Sequence, residues 1–309
     1  MSKVFEALQR LERESGKPPV GVSNAAQEVF RNGGSSGIVS PEEGESEEKV
    51  TAAPIAAEVP PRSAESAFQI EQVPVQDVTI TAETRIVYFT DPNSSGADRF
   101  RLLRMRLWPL WEGGKLRKLL ITSAQLQDGK STVTLNLATA LAEKGKRKVL
   151  VIEGDLVHPT IANRLGLPDL PGLAECLELD PDPTLLLQRL EPLGWYLLPA
   201  GRPRGNPTEL LQSPLLANVF DVLRPHFDWI LVDSAPVIPL TDTLSFRQHV
   251  DAGLLVVRAE RTPRDAVEAA IGRVGPQNLL GIILNGAQEL DRLYSNYGKS
   301  YDVQGRGKE

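Results

Sequence analysis

Short, nearly unbroken apolar runs recur along the last two thirds of the chain, each followed by residues at helical spacing. KLLITS (118–123), KVLVIE (148–153), WYLLPA (195–200), WILVDS (229–234), AGLLVV (252–257) and LLGIILN (279–285) read as strands. Between them, 131–143, 214–227, 241–249 and 263–274 place apolar residues at the helical period. LAECLEL, around Cys176, reads as a further apolar helical stretch. Strands that are apolar on both faces and alternate with helices predict an α/β fold, a mostly parallel sheet flanked by helices.

Ahead of about Asp98 this alternation is absent. In the first 14 residues Val4, Phe5, Leu8 and Leu11 share one helical face, with Lys3, Glu6, Arg10 and Glu12 elsewhere, which predicts a short amphipathic helix suited to docking on a partner. Residues 15–84 hold RNGGSSG, PEEGESEE and AAPIAAEVPPRSAESA, with no sustained period, and are expected to form a disordered acidic linker. The organised domain is expected over 85–289, followed by a flexible tail over 290–309.

Composition sharpens this division. The 309 residues are 41% apolar, enough for a sizeable core, and carry a net charge of −6. That charge lies entirely in the first 90 residues, with 8 Lys+Arg against 14 Asp+Glu, so the remainder is neutral and nucleic acid is not the expected partner. The single Cys176 allows no intramolecular disulfide or cysteine zinc cluster, and is expected to be a core thiol. No run of about 18 apolar residues exists and the start has no signal-peptide pattern, so a cytoplasmic protein without a membrane span of its own is expected.

The chemistry gathers where strands end. LLITS runs through AQLQDGKST into a helix, the setting of a phosphate-binding loop, so the fold is expected to be P-loop NTPase-like. The loop from Ala124 to Thr132, including Gln127, Asp128 and Gly129, would hold the phosphates of ATP. Lys130 would reach the β and γ oxygens, and the Ser131 hydroxyl would ligate Mg²⁺. The strict pattern GxxxxGK[ST] fails by one residue, because position 124 is Ala. Glu153 and Asp155 follow the second apolar run and Asp233 ends another. In a parallel sheet these ends share one edge, where the three carboxylates can face the metal and the γ-phosphate, Asp155 and Asp233 as metal ligands. Carboxylates there also commonly cap the next helix.

TSAQLQDGKST, LVIEGDLV and ILVDSAP together resemble the motifs TSxxPGxGKST, DxDxR and DxxP of the bacterial tyrosine kinases of the CpsD/CapB exopolysaccharide type, relatives of the MinD/ParA ATPases. The likeness covers about residues 85–302. It implies a tyrosine autokinase using ATP and Mg²⁺, with Glu153 as general base and Asn285 reading adenine. It also implies a homo-oligomeric ring joined through a helix bearing E-x2-R-x2-R, matched here by Asp98, Arg101 and Arg104. Tyr294, Tyr297 and Tyr301, three of five tyrosines, lie in the final 16 residues, and the resemblance makes them autophosphorylation sites. A tail attached far from its own site would most easily enter that of the next subunit. The partner implied is a membrane-embedded, Wzz-like chain-length adaptor, which would recruit the kinase peripherally to the membrane.

Four departures bear on activity. Leu126 and Gln127 replace Pro-Gly in the loop, Glu153 replaces the first Asp of DxD, and Val157 stands where the family has Arg. These leave open a catalytically weak ATP-binding scaffold in the same export machinery. A MinD/ParA-like regulatory ATPase is the other alternative, although its signature lysine is replaced by Gln125. A small-molecule kinase would need a substrate lid, and the sequence offers none.

Overall fold

A computed structural model describes residues 68–238 and 242–287. The predicted N-terminal helix and the tail with Tyr294, Tyr297 and Tyr301 lie outside these residues.

The strands are β1 (Val75–Asp77), β2 (Lys118–Ser123), β3 (Val149–Glu153), β4 (Gln188–Glu191), β5 (Trp195–Leu198), β6 (Trp229–Asp233), β7 (Ala252–Arg258) and β8 (Leu279–Asn285). They form one sheet in the order β1-β4-β5-β3-β6-β2-β7-β8, every pair parallel except β4–β5. The longer helices are α1 (Ser95–Glu112), α2 (Lys130–Ala142), α3 (Leu173–Leu179), α4 (Leu215–Leu223) and α5 (Arg264–Val274).

Alternation along each strand splits the apolar runs between two faces. Leu119 and Ile121, Val149 and Val151, and Trp229 and Leu231 pack with Leu107 of α1 and Leu135 and Leu137 of α2. Leu120, Leu150, Ile152, Ile230 and Val232 pack on the other face with Leu173 and Leu177 of α3 and Phe220 and Leu223 of α4. Burial on both faces is why these strands read as continuous apolar runs. Eleven of the 13 residues of α2 are buried, so the helix that follows the phosphate loop is a rigid core element. Cys176 is a core thiol as expected, with burial pushing its pKa up to about 12.

The linker assignment fails at its end. From Phe68 the chain is structured, and Val75–Asp77, placed in the linker by composition, pairs with Gln188–Glu191. The fragment VQD is too short and too polar to show a strand period, and its partner QRLE is equally unmarked. The helix expected over 214–227 stops at Leu223 and tightens into a 3-10 turn at Arg224–His226, where Pro225 lacks an N–H. The helix expected over 241–249 is shorter, Asp242–Phe246. Helix α1 was visible only through the family resemblance. It starts at Ser94, whose hydroxyl accepts from Ala97 N at 3.2 Å.

Among the described residues no helix is long and apolar enough to cross a membrane.

Candidate functional site

Strand β2 lies between β6 and β7, and from its end the chain turns through residues 124–129 into α2 at Lys130. Gly129, the N-cap, has φ +97°. The loop is tied by its own side chains: Ser123 Oγ donates to the Gln125 carbonyl at 2.7 Å, and the Asp128 carboxylate accepts from Gln125 N at 2.9 Å and Thr262 Oγ1 at 2.6 Å. Asn285 Nδ2 donates to the Asp128 carbonyl at 2.9 Å, joining the end of β8 to the loop.

A cleft of about 1120 Å³ opens over this turn. Gln127, Gly129, Lys130, Ser131, Thr132 and Asn285 line it, as the sequence predicted. Asp128 does not: its carboxylate is buried and shapes the loop. Ala124 is fully buried against Val237, Leu255 and Val257, so it packs the core beneath the loop instead of facing a ligand.

The acidic residues divide. Asp155 lines the cleft, its Oδ1 accepting from His158 N at 3.0 Å and its Oδ2 lying 2.9 Å from Lys130 Nζ, off the alignment of a hydrogen bond. Asp233 sits behind Ser131, buried, with Oδ1 accepting from Thr134 Oγ1 at 3.0 Å. Burial raises the Asp233 pKa, Lys130 and the hydroxyls of Ser131 and Thr134 oppose the rise, and the Asp155 charge adds to it. Glu153 is not brought to the cleft. Its Oε1 accepts from Ile161 N and its Oε2 from Ala200 N at 3.3 Å, which fixes the segments after β3 and β5. Burial raises its pKa too, against those backbone bonds, and Asp233 adds repulsion. A carboxylate occupied on both oxygens by buried amides is a positioning group, so the general-base expectation for Glu153 is corrected.

The cleft is strongly basic. Lys130 is joined by Arg85, Arg99, Arg106, Arg164, Arg258 and Arg261, against the single carboxylate of Asp155. Such a concentration of one sign draws in anions. Sequence spacing did not reveal these arginines, which arrive from four separate segments. It also missed Asn136, buried in α2, which accepts from Tyr88 N at 3.0 Å and donates to the carbonyls of Arg85 and Thr132 at 2.8 Å each. The only signal for it was an amide inside an otherwise apolar helix.

Ser131, Asp155 and Asp233 fit a hydrated Mg²⁺: one hydroxyl, two carboxylates, and a buried Oδ2 of Asp155 without an aligned donor. Among the described residues no group of three or more His, Cys, Asp or Glu could hold a metal alone. Magnesium at phosphoryl-transfer sites takes one or two carboxylates and completes its shell with phosphates and water.

Asp98, Arg101 and Arg104 lie on α1, away from the cleft lining. Asp98 pairs with Arg101 at 2.7 Å on the surface, whereas Arg104 turns inward to the Ala140 carbonyl at 3.1 Å and Glu143 at 3.6 Å. Arg104 is therefore engaged within the protomer. Gly286, on the cleft rim, precedes Tyr294 by eight residues.

Gln127 has φ +66° where the resembled motif has Gly. Left-handed backbone costs a non-glycine residue about 1–2 kcal/mol, partly offset by the unfolded-chain freedom that glycine adds. Gln127→Gly is expected to raise stability by about 0.5 kcal/mol in denaturant melts. A loss of more than that would show that the Gln side chain contributes contacts of its own.

No protein-family model matches the chain. It is 30% identical to the tyrosine-protein kinase CpsD of Streptococcus agalactiae over 189 residues, 60% of this chain and 82% of that one. It is 31% identical to the succinoglycan biosynthesis transport protein ExoP of Rhizobium meliloti over 222 residues, 70% of this chain but 28% of that longer one. The kinase domain of the Escherichia coli tyrosine kinase ETK superposes with a TM-score of 0.62 at 26% identity, covering 65% of this chain and 80% of that domain.

Proposed function

This chain belongs to the bacterial tyrosine kinases of capsule and exopolysaccharide synthesis, and from that premise we propose that it transfers the γ-phosphoryl of ATP to Tyr294, Tyr297 and Tyr301 of its own sequence. The observation that carries this reading is the convergence of Lys130, Ser131, Asp155 and Asp233 at one end of the sheet, beneath a cleft with seven cationic side chains.

In this reading the loop amides and the N-terminus of α2 bind the phosphates. Ser131, Asp155 and Asp233 would hold Mg²⁺, directly or through water, and the ion would supply positive charge against the phosphates. Lys130 stabilises the charge that grows on the transferred group. The tyrosyl oxygen forms a bond to the γ-phosphorus as the bond to the β-bridging oxygen breaks and ADP leaves. Asp155, the one carboxylate lining the cleft, also accepts the tyrosyl proton in this reading, on the oxygen turned away from the metal. Asn285 faces the cleft from β8 and borders the adenine. The Asp98–Arg101 pair is the part of the α1 motif left on the surface for a neighbouring subunit in a ring. In this reading a Wzz-like adaptor recruits the kinase to the membrane, as polysaccharide export relatives such as ExoP suggest.

A second reading, an ATP-binding scaffold without transfer, is favoured by the left-handed Gln127 and by the engagement of Glu153 with backbone amides. Intact mass after incubation with Mg-ATP, with and without the adaptor's cytoplasmic segment, separates the two. Whole phosphoryl additions mapping to the three tyrosines are expected, falling by about 10³-fold in rate in Lys130→Met. ATP bound without any addition under either condition would support the scaffold.

A further inference from the structure

The first three residues of α2 are each met, in order, by the segment that follows β3. Asp155 Oδ2 lies 2.9 Å from Lys130 Nζ, Thr160 Oγ1 donates to Ser131 Oγ at 3.2 Å, and Arg164 Nη1 donates to Thr132 Oγ1 at 2.9 Å. The third contact sets a guanidinium against the turn of helix whose amides would meet the phosphates. Arg164 is not on a loose loop. It closes the short helix Ile161–Arg164, whose first amide is held by the buried carboxylate of Glu153.

Its side chain lines the cleft with Lys130, Ser131 and Thr132. Val157, in contrast, is 38% exposed and lies outside the lining, so the position occupied by Arg in the resembled motif supplies no charge here.

We propose that Arg164 is a nucleotide-binding residue that contacts the phosphate chain, supplying from seven residues downstream the positive charge that Val157 lacks. The proposal rests on the reading of the cleft as an ATP site. Guanidinium stays charged at every working pH and presents paired N–H donors that match phosphate oxygens. By donating to Thr132 Oγ1, Arg164 also leaves the hydroxyl's own proton for another acceptor. The remaining cleft arginines approach from other segments.

The test is calorimetric titration of the full chain with MgADP, comparing wild type, Arg164→Ala, Arg164→Lys, Val157→Arg and the double variant Arg164→Ala/Val157→Arg across a salt series. Arg164→Ala is expected to weaken MgADP binding about tenfold or more, the worth of one charge-assisted contact. It should also flatten the salt dependence, because a screened charge has gone. Arg164→Lys should keep part of the affinity, and the double variant should regain at least half of the loss on a logarithmic scale. Wild-type affinity in Arg164→Ala would overturn the proposal and leave the ATP-site reading standing. So would a loss with unchanged salt dependence and no rescue by Val157→Arg, the signature of a merely structural role. Failure of the wild type to bind MgADP would overturn both.

Discussion

Asp233→Asn is expected to make the protein more heat-stable while reducing phosphotransfer at least a hundredfold. Asp233 ends β6 in register with Glu153 on β3, and each is about 1% exposed. Burial raises both pKa values; the Asp233 charge raises that of Glu153 further, and the Asp155 charge raises that of Asp233. The folded protein therefore holds these protons more tightly than the unfolded chain. The resulting stabilisation is fully present below the ordinary carboxylate range near about pH 4 and is lost as pH rises through the raised values. At neutral pH the pair is a liability kept for function. Asn keeps an acceptor for Thr134 Oγ1 and removes the charge, which should gain about 1–2 kcal/mol and raise Tm by about 2–6 °C. The same change removes a carboxylate from the metal-binding set, a loss on the order of 10²–10³ in rate. Melts at pH 5 and pH 8 check the first part: wild type should lose more stability across that interval than the variant. A variant less stable than wild type at pH 8 would show that the hydroxyls and Lys130 outweigh burial.

Gly129→Ala is expected to weaken nucleotide binding and phosphotransfer by about 10²-fold. At φ +97° an L side chain is strained, and a Cβ would lie 2.0 Å from Asn285 Nδ2 and 3.3 Å from Asn285 Cγ. Since Asn285 holds the Asp128 carbonyl at 2.9 Å, the clash is relieved only by breaking that bond or by moving the loop. A displacement of about 1 Å at a phosphoryl-transfer site costs roughly two orders of magnitude. Wild-type affinity in the single variant, by titration with MgADP, would mean that the loop accommodates a Cβ without moving its amides.

The sheet and the phosphate turn were legible because they depend on local signals. Strands buried on both faces must be apolar at every position, so β2, β3, β6 and β7 announce themselves, and GKST between strand and helix has few structural settings. Strands β1 and β4 were hidden by their length and polarity: Val75–Asp77 is defined by Gln188–Glu191, far along the chain, and by nothing in its own period. At the site, residue type singled out Lys130, Ser131, Asp155 and Asp233, which the fold brings to one end of the sheet, but could not show that Glu153 is held by two backbone amides. Spacing also could not show that Arg104 faces Ala140 or that Arg164 reaches Thr132. Those contacts depend on how separate segments pack, which a linear pattern does not encode.

The strand order also governs when the site can exist at all. Only β4–β5 and β7–β8 join strands that are consecutive in the chain. β2, which carries the phosphate turn, pairs with β6 and β7, so its partners are synthesised about a hundred residues later. β3 waits in the same way for β5 and β6. A chain emerging from the ribosome therefore holds LLITS unpaired, and VLVIE with at least one open, aggregation-prone edge, until β6 has been made, and closure over such long loops is slow. During synthesis the nucleotide site is assembled late, and truncation anywhere before residue 233 removes the strand that joins β2 to β3.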